Sequence, residues 1–368
     1  MSADRPTPSR GSINIAVVGR GAVSNPMGRF ESTRTEAQDD GWGMLEESLP
    51  PVNTTVGIDT SRTIISRNNS PDIPFDQSIN PYRGCEHGCV YCYARPSHAY
   101  LNLSPGLDFE TKLFYKPNAI QQLKEELSAK NYICSPIALG ANTDPYQPIE
   151  RQYQVTRRIL ETLSECNHPA TIVTKGAAII ERDIDLLASM ASRNLMAVYI
   201  SVTTLDKDLK RKLEPRAAAP TSRIAIIRKL AEAKVPVGVL VAPVIPVLTD
   251  HEMENIVAAA AQAGAHSAGY IMLRLPYEVN PLFQEWLQTH EPLKAAHVMS
   301  RVRELSGGKD YDSRFGARQR GTGVFADLFR KRFELACRKH GLNTERRKQL
   351  DTSKFVPIVM QGKQMGLF

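Results

Sequence analysis

The sequence predicts an α/β fold, in which six strands that are each followed by a helix form a partial (β/α)6 barrel. From about residue 76, short apolar segments alternate with longer amphipathic ones, a pattern typical of parallel strands joined by helices. The length of 368 residues allows one large domain with two extensions. Six repeats are too few for a closed eightfold barrel, so we expect an open one with its chemistry at the carboxyl ends of the strands.

The predicted elements follow one another in a regular order. The strands cover residues 77–82, 133–139, 171–174, 196–203, 236–242 and 269–275. The helices cover residues 117–130, 149–165, 179–192, 208–213, 222–233, 250–263 and 281–289. The first of these helices begins with Pro117, where proline is favoured, and its apolar residues share one face. Right-handed crossovers then bring all the strand ends to one side of the sheet.

Two regions flank the predicted barrel at residues 71–295. Residues 1–70 are rich in Ser, Thr, Asn, Pro and Gly, which predicts a partly disordered N-terminal arm lying over or beside the barrel. Residues 296–350 are predicted to be a basic helical extension, because 301–348 carry 14 basic and 6 acidic side chains in a chain of net charge +7. Residues 351–368 remain as a C-terminal tail.

Cysteine usage and hydropathy indicate where the protein resides. Three of the six cysteines crowd into eight residues and the others lie singly, so the disulfide framework of a secreted protein is not expected. The N-terminus lacks the apolar core of a signal peptide, and no segment offers about 20 uninterrupted apolar residues. The sequence therefore predicts a cytoplasmic protein without a membrane partner.

The strongest chemical signal is the loop that carries Cys85, Cys89 and Cys92, directly after the first predicted strand. The spacing and two glycines let three thiolates wrap around one face of an iron–sulfur cluster. Three protein ligands leave one iron open, which favours catalysis over a structural role. One alternative is a zinc site with His87 as the fourth ligand, although residues two apart in an extended loop point to opposite sides. A redox pair of Cys89 and Cys92 is another, but it leaves Cys85 unexplained.

The loop Cys-x3-Cys-x-Tyr-Cys resembles the cluster motif of the radical S-adenosylmethionine (radical SAM) superfamily. Residues 80–85 (Asn-Pro-Tyr-Arg-Gly-Cys) and 92–95 (Cys-Tyr-Ala-Arg) are similar to the group of spore photoproduct lyase and proteins labelled DNA repair photolyase. The resemblance spans about residues 64–338, and residues 19–31 of the arm resemble an uncharacterised bacterial branch of that group.

This resemblance implies a partial TIM-like barrel of the radical SAM type and a 4Fe-4S cluster held by Cys85, Cys89 and Cys92. It also implies that S-adenosylmethionine chelates the open iron and that its reductive cleavage gives a 5′-deoxyadenosyl radical, with an electron donor such as flavodoxin or ferredoxin.

The resemblance further implies cofactor contacts in the loops after later strands. The candidate cofactor-binding residues are Thr143, Asp144, Lys175, Ser201, Thr203 and Arg216. An acid suits the cofactor's ammonium group, and a guanidinium can bind its carboxylate in a bidentate manner. Ordinary roles in turns, strands or the solvated surface are the alternative for each of them. Residues 242–244 and 273–276 are expected to line the site that binds the adenine of the cofactor.

Tyr91 and Tyr93 flank Cys92 and are the candidate catalytic residues. This role is implied by the resemblance, because similarly placed tyrosines of spore photoproduct lyase are implicated in hydrogen transfer. Packing and hydrogen bonding are the alternative role for both. Asn142 stands where that enzyme has a cysteine, and an amide is a poor replacement for a thiol hydrogen donor. Lyase action on thymine dimers is therefore in doubt.

The basic extension and the tail suggest partners. Residues 314–321 mix arginines with glycines and Phe315, a composition that suits phosphate contact and base stacking. The predicted helix at 325–340 would dock one face and present charge on the other. The terminal residues Gln364 to Phe368 resemble the short motif by which bacterial repair proteins bind the sliding clamp, although such motifs recur by chance.

Taken together, these signals predict a radical SAM enzyme that acts on nucleic acid, with DNA favoured, in lesion repair or base modification. A radical SAM enzyme acting on RNA or on a small metabolite is the first alternative. The second is a non-catalytic zinc-bearing module that binds nucleic acid.

Overall fold

The computed structural model of the chain describes residues 18–30, 53–344 and 349–358. The strands are β1 (Thr55–Ile58), β2 (Ile65–Arg67), β3 (Gln77–Ile79), β4 (Tyr82–Arg83), β5 (Lys112–Tyr115), β6 (Ile137–Leu139), β7 (Ala170–Thr174), β8 (Met196–Ser201), β9 (Val237–Val244) and β10 (Ser267–Met272). The α-helices are α1 (Leu107–Thr111), α2 (Ala119–Leu127), α3 (Glu150–Tyr153), α4 (Val155–Glu165), α5 (Ala178–Glu181), α6 (Ile184–Ser192), α7 (Lys207–Leu213), α8 (Pro220–Glu232), α9 (Met253–Gln262), α10 (Val279–His290), α11 (Pro292–Leu305), α12 (Ala317–Arg320) and α13 (Gly323–Lys339). Short 3-10 helices cover Arg95–Leu101 and Asp250–Glu252.

The main sheet contains seven of the described strands, in the order β10-β9-β8-β7-β6-β3-β2. The six predicted strands are all present and pair in parallel with their neighbours in chain order. The antiparallel strand β2 is added at the edge beside β3. With β10 and β2 at its two ends, the sheet has the open arrangement that the sequence predicted. The α/β class is confirmed.

The core explains why the strands are short and apolar. All six residues of β8 are buried, as expected for a parallel strand covered on both faces. The helices contribute one apolar stripe each, and in α4 this stripe consists of Val155, Ile159, Leu160 and Leu163, as predicted. Full burial of each such large side chain stabilises the fold by about 1.5–3 kcal/mol.

Several predicted elements are interrupted in the structure. The predicted helix at 149–165 is divided into α3 and α4, because Gln154 has φ of 50° and a left-handed residue cannot continue a helix. The predicted strand at 77–82 is divided at Asn80 and Pro81, since proline cannot donate to a strand ladder. Its second part, β4, belongs to a separate three-stranded sheet with the order β1-β5-β4.

The part of the predicted arm that the structure describes is ordered against the barrel. Strands β1 and β2 both lie within residues 1–70. Residues 18–30 pack on the cysteine loop so closely that a Cβ added at Gly21 would lie 1.7 Å from the carbonyl oxygen of Gly88. Residues 1–17 and 31–52 lie outside the described residues, and the proposed division into domains stays a prediction.

The C-terminal extension spans the open side of the sheet. Arg318 donates to Ser70 Oγ over 2.6 Å and forms an ion pair with Asp72, both in the loop between β2 and β3. Arg320 Nη1 donates to the carbonyl of Tyr270 in β10 over 2.8 Å. Residues 314–321, predicted to contact phosphate, therefore use two of their three arginines to join the two ends of the sheet.

The helix predicted at 325–340 is α13, and one face of it docks as expected. Its buried residues are Ala326, Phe329, Phe333, Ala336 and Cys337.

Part of the basic charge of the extension is paired with acids. Among the described residues, six arginines of segment 301–348 form ion pairs with acids: Arg301, Arg303, Arg314, Arg318, Arg330 and Arg332. Residues 345–348, which hold three of the predicted cations, lie outside the described residues. Four of these pairs use acids of the same segment, which its charge balance already includes, and two use Asp72 and Glu254 from outside it. None of the helices that the structure describes has the length and apolar character needed to cross a membrane.

Candidate active site

The cysteine loop follows β4 and bends at Gly88, a position that favours glycine. Gly88 has φ of 68°, in the left-handed region that side chains with a Cβ rarely adopt. The amide N–H of Cys85 donates to the carbonyl of Phe109 over 2.9 Å, which fixes the start of the loop. Cys85 and Cys89 are buried, and Cys92 is half-buried.

A large cavity lies at the carboxyl ends of the parallel strands, where the sequence placed the chemistry. It encloses about 890 Å³ of empty space, including its open mouth. The loop and the ends of β6, β7, β8, β9 and β10 all contribute to its wall. The lining residues are Cys85, His87, Cys89, Tyr91, Cys92, Tyr93, Gly140, Asn142, Asp144, Val173, Thr174, Lys175, Ser201, Leu240, Ala242, Pro243, Ile271, Met272 and Arg274.

The three thiols are a suitable donor set for an iron–sulfur cluster. All of them line the one cavity, and burial raises the pKa of each. The charges of Asp144, Cys89 and Cys92 raise the pKa of Cys85 further, so the neutral thiol form is favoured as long as no cation lies among the sulfurs. Bound iron would supply that positive charge and favour the thiolate form that ligates it.

The arrangement does not support the zinc alternative. Among the described residues, no group of three or more His, Cys, Asp or Glu side chains is placed so that it could hold one metal ion. In a cluster each thiolate binds a separate iron, so the sulfurs need not converge on a single point. His87, the expected fourth zinc ligand, instead places Nδ1 3.3 Å from the carboxylate of Asp144.

Asp144 is held as an anion beside the thiols. Thr174 Oγ1 donates to one of its oxygens over 2.6 Å, and the Lys175 amide donates to the other over 2.7 Å. Burial alone would raise the pKa of Asp144, but the charge and hydrogen bond of His87, with these two donors, lower it to about 2. This carboxylate can accept a cationic ligand group in the cavity.

Two more of the predicted cofactor residues reach the cavity. Lys175 lies with Nζ 5.7 Å from the centre of the Tyr91 ring. Burial lowers the pKa of Lys175, but Cys89 and Glu214 raise it more, so the ammonium form is favoured. Ser201 is buried and lines the cavity from the end of β8.

The other three predicted cofactor residues are not among the lining residues of the cavity. Thr143 Oγ1 donates to the carbonyl of Tyr82 over 2.7 Å, and Thr203 Oγ1 bonds to Glu214 over 2.6 Å. Arg216 forms a 2.7 Å ion pair with Glu86. Because these polar atoms are turned to protein groups, they support the wall in this geometry, and direct contact with a cofactor stays a prediction.

Tyr91, a candidate catalytic residue, is tied to a buried ion pair. Its hydroxyl donates to the carboxylate of Glu214 and lies 3.0 Å from Thr203 Oγ1. Glu214 also pairs with Arg223, and these two side chains are 0% and 1% exposed. Burial alone would raise the pKa of Glu214, but the charges of Arg223 and Lys175 lower it to about 2. The tyrosine hydroxyl is thereby held in one orientation.

Tyr93, the second candidate, stands at the mouth of the cavity. It is 45% exposed, and its hydroxyl donates to the carbonyl of Ala141. The guanidinium of Arg274 lies 5.1 Å from its ring centre. Arg274 Nε has no hydrogen-bond partner among the described residues. Tyr93 and Arg274 therefore present an aromatic face and a cation where a substrate would enter.

A second buried ion pair joins the cysteine loop to the arm. Arg95 and Glu110 are both 0% exposed, and Arg95 Nε donates to the carbonyl of Cys89 over 2.9 Å. The amides of Gly21 and Ala22 donate to the two oxygens of Glu110 over 2.9 and 2.8 Å. The arm thus supports the loop through Glu110.

These supporting residues were not among those predicted from the sequence. Arg95 lies in the quoted motif without an assigned role, and Glu110 and Arg223 carry no local signal, because a single charged residue in a helix is normally solvated.

Comparison with known proteins agrees with this geometry. The family model described as the Radical SAM superfamily matches residues 79–260. An uncharacterised protein of Mycobacterium tuberculosis is 36% identical over 239 residues, which cover 64% of this chain and 69% of that protein. An uncharacterised protein of Methanocaldococcus jannaschii is 28% identical over 174 residues, covering 47% of this chain and 62% of the relative.

Among solved structures, a spore photoproduct lyase variant with dinucleoside spore photoproduct superposes with a TM-score of 0.55 at 15% identity. The match covers 78% of this chain and 80% of that one, and it shows a shared fold. The family model and the mycobacterial relative together establish that the chain belongs to the radical SAM superfamily, whose enzymes use S-adenosylmethionine and a 4Fe-4S cluster.

Proposed function

We propose that the chain holds a 4Fe-4S cluster through Cys85, Cys89 and Cys92 and cleaves S-adenosylmethionine to act on a nucleic acid, in DNA lesion repair or base modification. One observation carries the proposal. The three thiols line the same cavity as Asp144 and Lys175, at the carboxyl ends of the parallel strands.

The cofactors would supply the hard chemistry, since reductive cleavage of the bound sulfonium yields methionine and a 5′-deoxyadenosyl radical that abstracts hydrogen. The chain's own residues would bind and orient the S-adenosylmethionine. Asp144 suits the ammonium of the cofactor, and Lys175 places a cation for its carboxylate. Leu240, Ile271 and Met272 give the far wall an apolar surface that keeps water from a reactive species.

The nucleic-acid substrate is supported by the character of the cavity mouth and by the shared fold. Tyr93 offers a ring for stacking, and Arg274 offers a cation for a phosphate. The lyase structure that shares this fold contains a dinucleoside spore photoproduct. In this chain Asn142 lines the cavity in place of a thiol, which favours a reaction other than thymine-dimer cleavage through a cysteine hydrogen donor.

Anaerobic reconstitution tests the cofactor chemistry. The full chain is supplied with iron and sulfide, reduced with dithionite and incubated with S-adenosylmethionine. We expect a visible charge-transfer band and the release of 5′-deoxyadenosine. A protein that retains zinc alone and releases no 5′-deoxyadenosine contradicts the proposal and favours a non-catalytic module.

Photocrosslinking tests the substrate class. The reconstituted protein is exposed to ultraviolet-damaged DNA, undamaged DNA and RNA of matched sequence. We expect preferential crosslinking to DNA, and a stimulation of 5′-deoxyadenosine release by the preferred DNA. Equal, weak crosslinking to all three, with no stimulation, favours a small metabolite as the substrate.

The proposed partners can be tested separately. The motif at residues 364–368 lies outside the described residues, so binding to the sliding clamp rests on the sequence alone. A pull-down with purified clamp should recover the intact chain and fail when Leu367 and Phe368 are deleted. A flavodoxin or ferredoxin that replaces dithionite in the assay would identify the electron donor. Cytoplasmic location is part of the same proposal, since both donors work in a reducing compartment.

A further inference from the structure

Four side chains form a continuous exposed surface beside the cavity, which we call the aromatic ridge. They are Arg29 and Phe30 from the arm, Tyr100 from the 3-10 helix after the cysteine loop, and Tyr277 from the segment after β10. The three rings are 52%, 71% and 67% exposed for Phe30, Tyr100 and Tyr277. Aromatic rings grouped in this way on a surface mark a site of interaction.

The members of the ridge are stacked on one another. The guanidinium carbon of Arg29 lies 4.0 Å from the ring centre of Tyr277 and 5.5 Å from that of Phe30. The rings of Phe30 and Tyr100 are 5.1 Å apart between centroids and inclined by 34°. Arg29 Nε is fixed by a 2.6 Å ion pair with Glu278. The order along the surface is therefore ring, ring, guanidinium, ring.

Tyr277 occupies a backbone conformation that its side chain does not favour. Its φ is 48°, in the left-handed region, which is a rare conformation for a bulky residue. Such strain concentrates at functional positions, where the surrounding structure holds it in place. Here it accompanies a ring that is two-thirds exposed and covered on one side by Arg29.

The ridge is linked to the cavity wall by short stretches of chain. Tyr277 follows the lining residue Arg274 by three positions. Tyr100 is the penultimate residue of the 3-10 helix that begins three residues after the lining residue Cys92. The arm residues Arg29 and Phe30 lie between Tyr277 and Tyr100. Two hydrogen bonds hold the arm in place: Ser24 Oγ donates to Glu285 of α10, and Asn25 Nδ2 donates to Asp108 of α1 over 3.0 Å.

We propose that the aromatic ridge stacks the unpaired bases of a single-stranded nucleic acid next to the nucleotide that enters the cavity. This inference deepens the proposed function and rests on it. Bases stack on exposed rings and on guanidinium planes without regard to sequence, and a row that alternates the two matches a strand of successive bases. The chain's net charge of +7 suits a polyanion better than a neutral partner.

A second exposed ring of similar surroundings provides the matched control. Phe315 is 61% exposed and lies 4.6 Å from the guanidinium carbon of Arg318, as Tyr277 lies beside Arg29. Phe315 belongs to the extension across the open side of the sheet, whose composition predicted base stacking. The two rings therefore separate binding at the ridge from binding at the extension.

The experiment measures fluorescence anisotropy of a labelled oligothymidylate with the full-length, reconstituted protein. The variants are Phe30→Ala and Tyr277→Asn, since asparagine tolerates the left-handed backbone and removes only the ring. We expect each to weaken binding by about 5- to 100-fold, the range for loss of one stacking ring. Tyr277→Phe, which keeps the ring, should bind as the unaltered chain does, and so should Phe315→Ala.

Other results would overturn the inference. Ridge variants that bind as tightly as the unaltered chain, or a Phe315→Ala variant that loses as much, contradict it. The inference is also contradicted if the unaltered chain binds no oligonucleotide or prefers duplex to single-stranded DNA. Either result would favour a protein partner for the ridge. The release of 5′-deoxyadenosine is read separately in the unaltered chain, so its absence identifies a failure of the proposed function rather than of the ridge.

Discussion

The cavity wall and the C-terminal extension both contain arginine–carboxylate pairs, but their surroundings differ. Arg223 and Glu214 behind the cavity are 1% and 0% exposed. Arg330 and Asp327, which pair on α13 of the extension, are 53% and 63% exposed. The same chemical pair is thus removed from water in one region and solvated in the other, and its effect on stability and function should differ accordingly.

The physical reason is the cost of removing charge from water. A buried pair loses hydration that its mutual attraction only partly restores, so its two members depend on each other. A solvated pair keeps most of its hydration, and salt screens the remainder. Counting charges in the sequence cannot distinguish these cases, because burial depends on residues that are distant along the chain.

The largest effect should come from breaking the donor set of the cavity. Cys89→Ala removes one of three cluster ligands, so the reconstituted variant should lose the visible charge-transfer band and release no 5′-deoxyadenosine. Cys134→Ala, which removes a cysteine outside the cavity, should retain both signals. Absorption spectroscopy with product analysis makes the comparison. A Cys89→Ala variant that remains active would mean that the cavity is not the cluster site.

Breaking the buried pair should have the next largest effect. Arg223→Met leaves the Glu214 carboxylate buried and unpaired, which should lower the free energy of unfolding by about 3–5 kcal/mol. Urea unfolding followed by circular dichroism measures the change. The double variant Arg223→Met with Glu214→Gln removes both charges and should regain part of the loss. If the double variant is less stable than the single one, the pair is not coupled as proposed.

A smaller effect should appear as a pH dependence at Asp59, beside the loop. Asp59 accepts from Lys116 Nζ over 2.6 Å and from Arg83 Nε over 2.8 Å. Burial alone would raise its pKa, but these partners and Ser61 lower it from 3.8 to about 2. Its contribution to stability is therefore present above its ordinary pKa and is lost as the pH falls toward 2.

Asp59→Asn should make the unfolding midpoint less dependent on pH between about 4 and 2, as urea titrations at several pH values would show. Asp208→Asn on the surface of α7 is the control, because that side chain is 76% exposed. Equal slopes for the unaltered chain and Asp59→Asn would contradict this prediction.

The smallest effect should come from the extension. Arg332 of α13 pairs with Glu254 over 2.7 Å, but the two side chains are 27% and 39% exposed. Arg332→Gln should lower the free energy of unfolding by at most about 1 kcal/mol, and by less in high salt. The same urea assay applies. A loss as large as that of Arg223→Met would remove the distinction between the two regions.

The sequence predicted the repeating part of the fold well, because hydrophobic periodicity is a local signal. All six parallel strands and most of the helices lie where their apolar residues indicated. The failures occur where a non-local or conformational constraint intervened. Gln154 interrupts a continuous amphipathic pattern by adopting φ of 50°. Strands β1, β2 and β5 have only three or four residues each, which is too short for a periodic pattern to be recognised before their partners are known.

The site was predicted in part. The cysteine spacing identified the three thiols, and the strand-end rule placed Asp144, Lys175 and Ser201 on the cavity wall. Thr143, Thr203 and Arg216 come from the same loops but point to protein partners, because the direction of a side chain depends on its neighbours in space.

By itself, the sequence determined the superfamily motif, the order of strands and helices, and the residues that can act as ligands, since each depends on the type and spacing of residues along the chain. Only the tertiary structure decided which charges are buried, which arginines are neutralised and how the arm lies against the cysteine loop. The reason is that burial and pairing arise between residues far apart in sequence, as Gly21 and Glu110 or Arg318 and Asp72 are. Their energies depend on how much water the fold excludes.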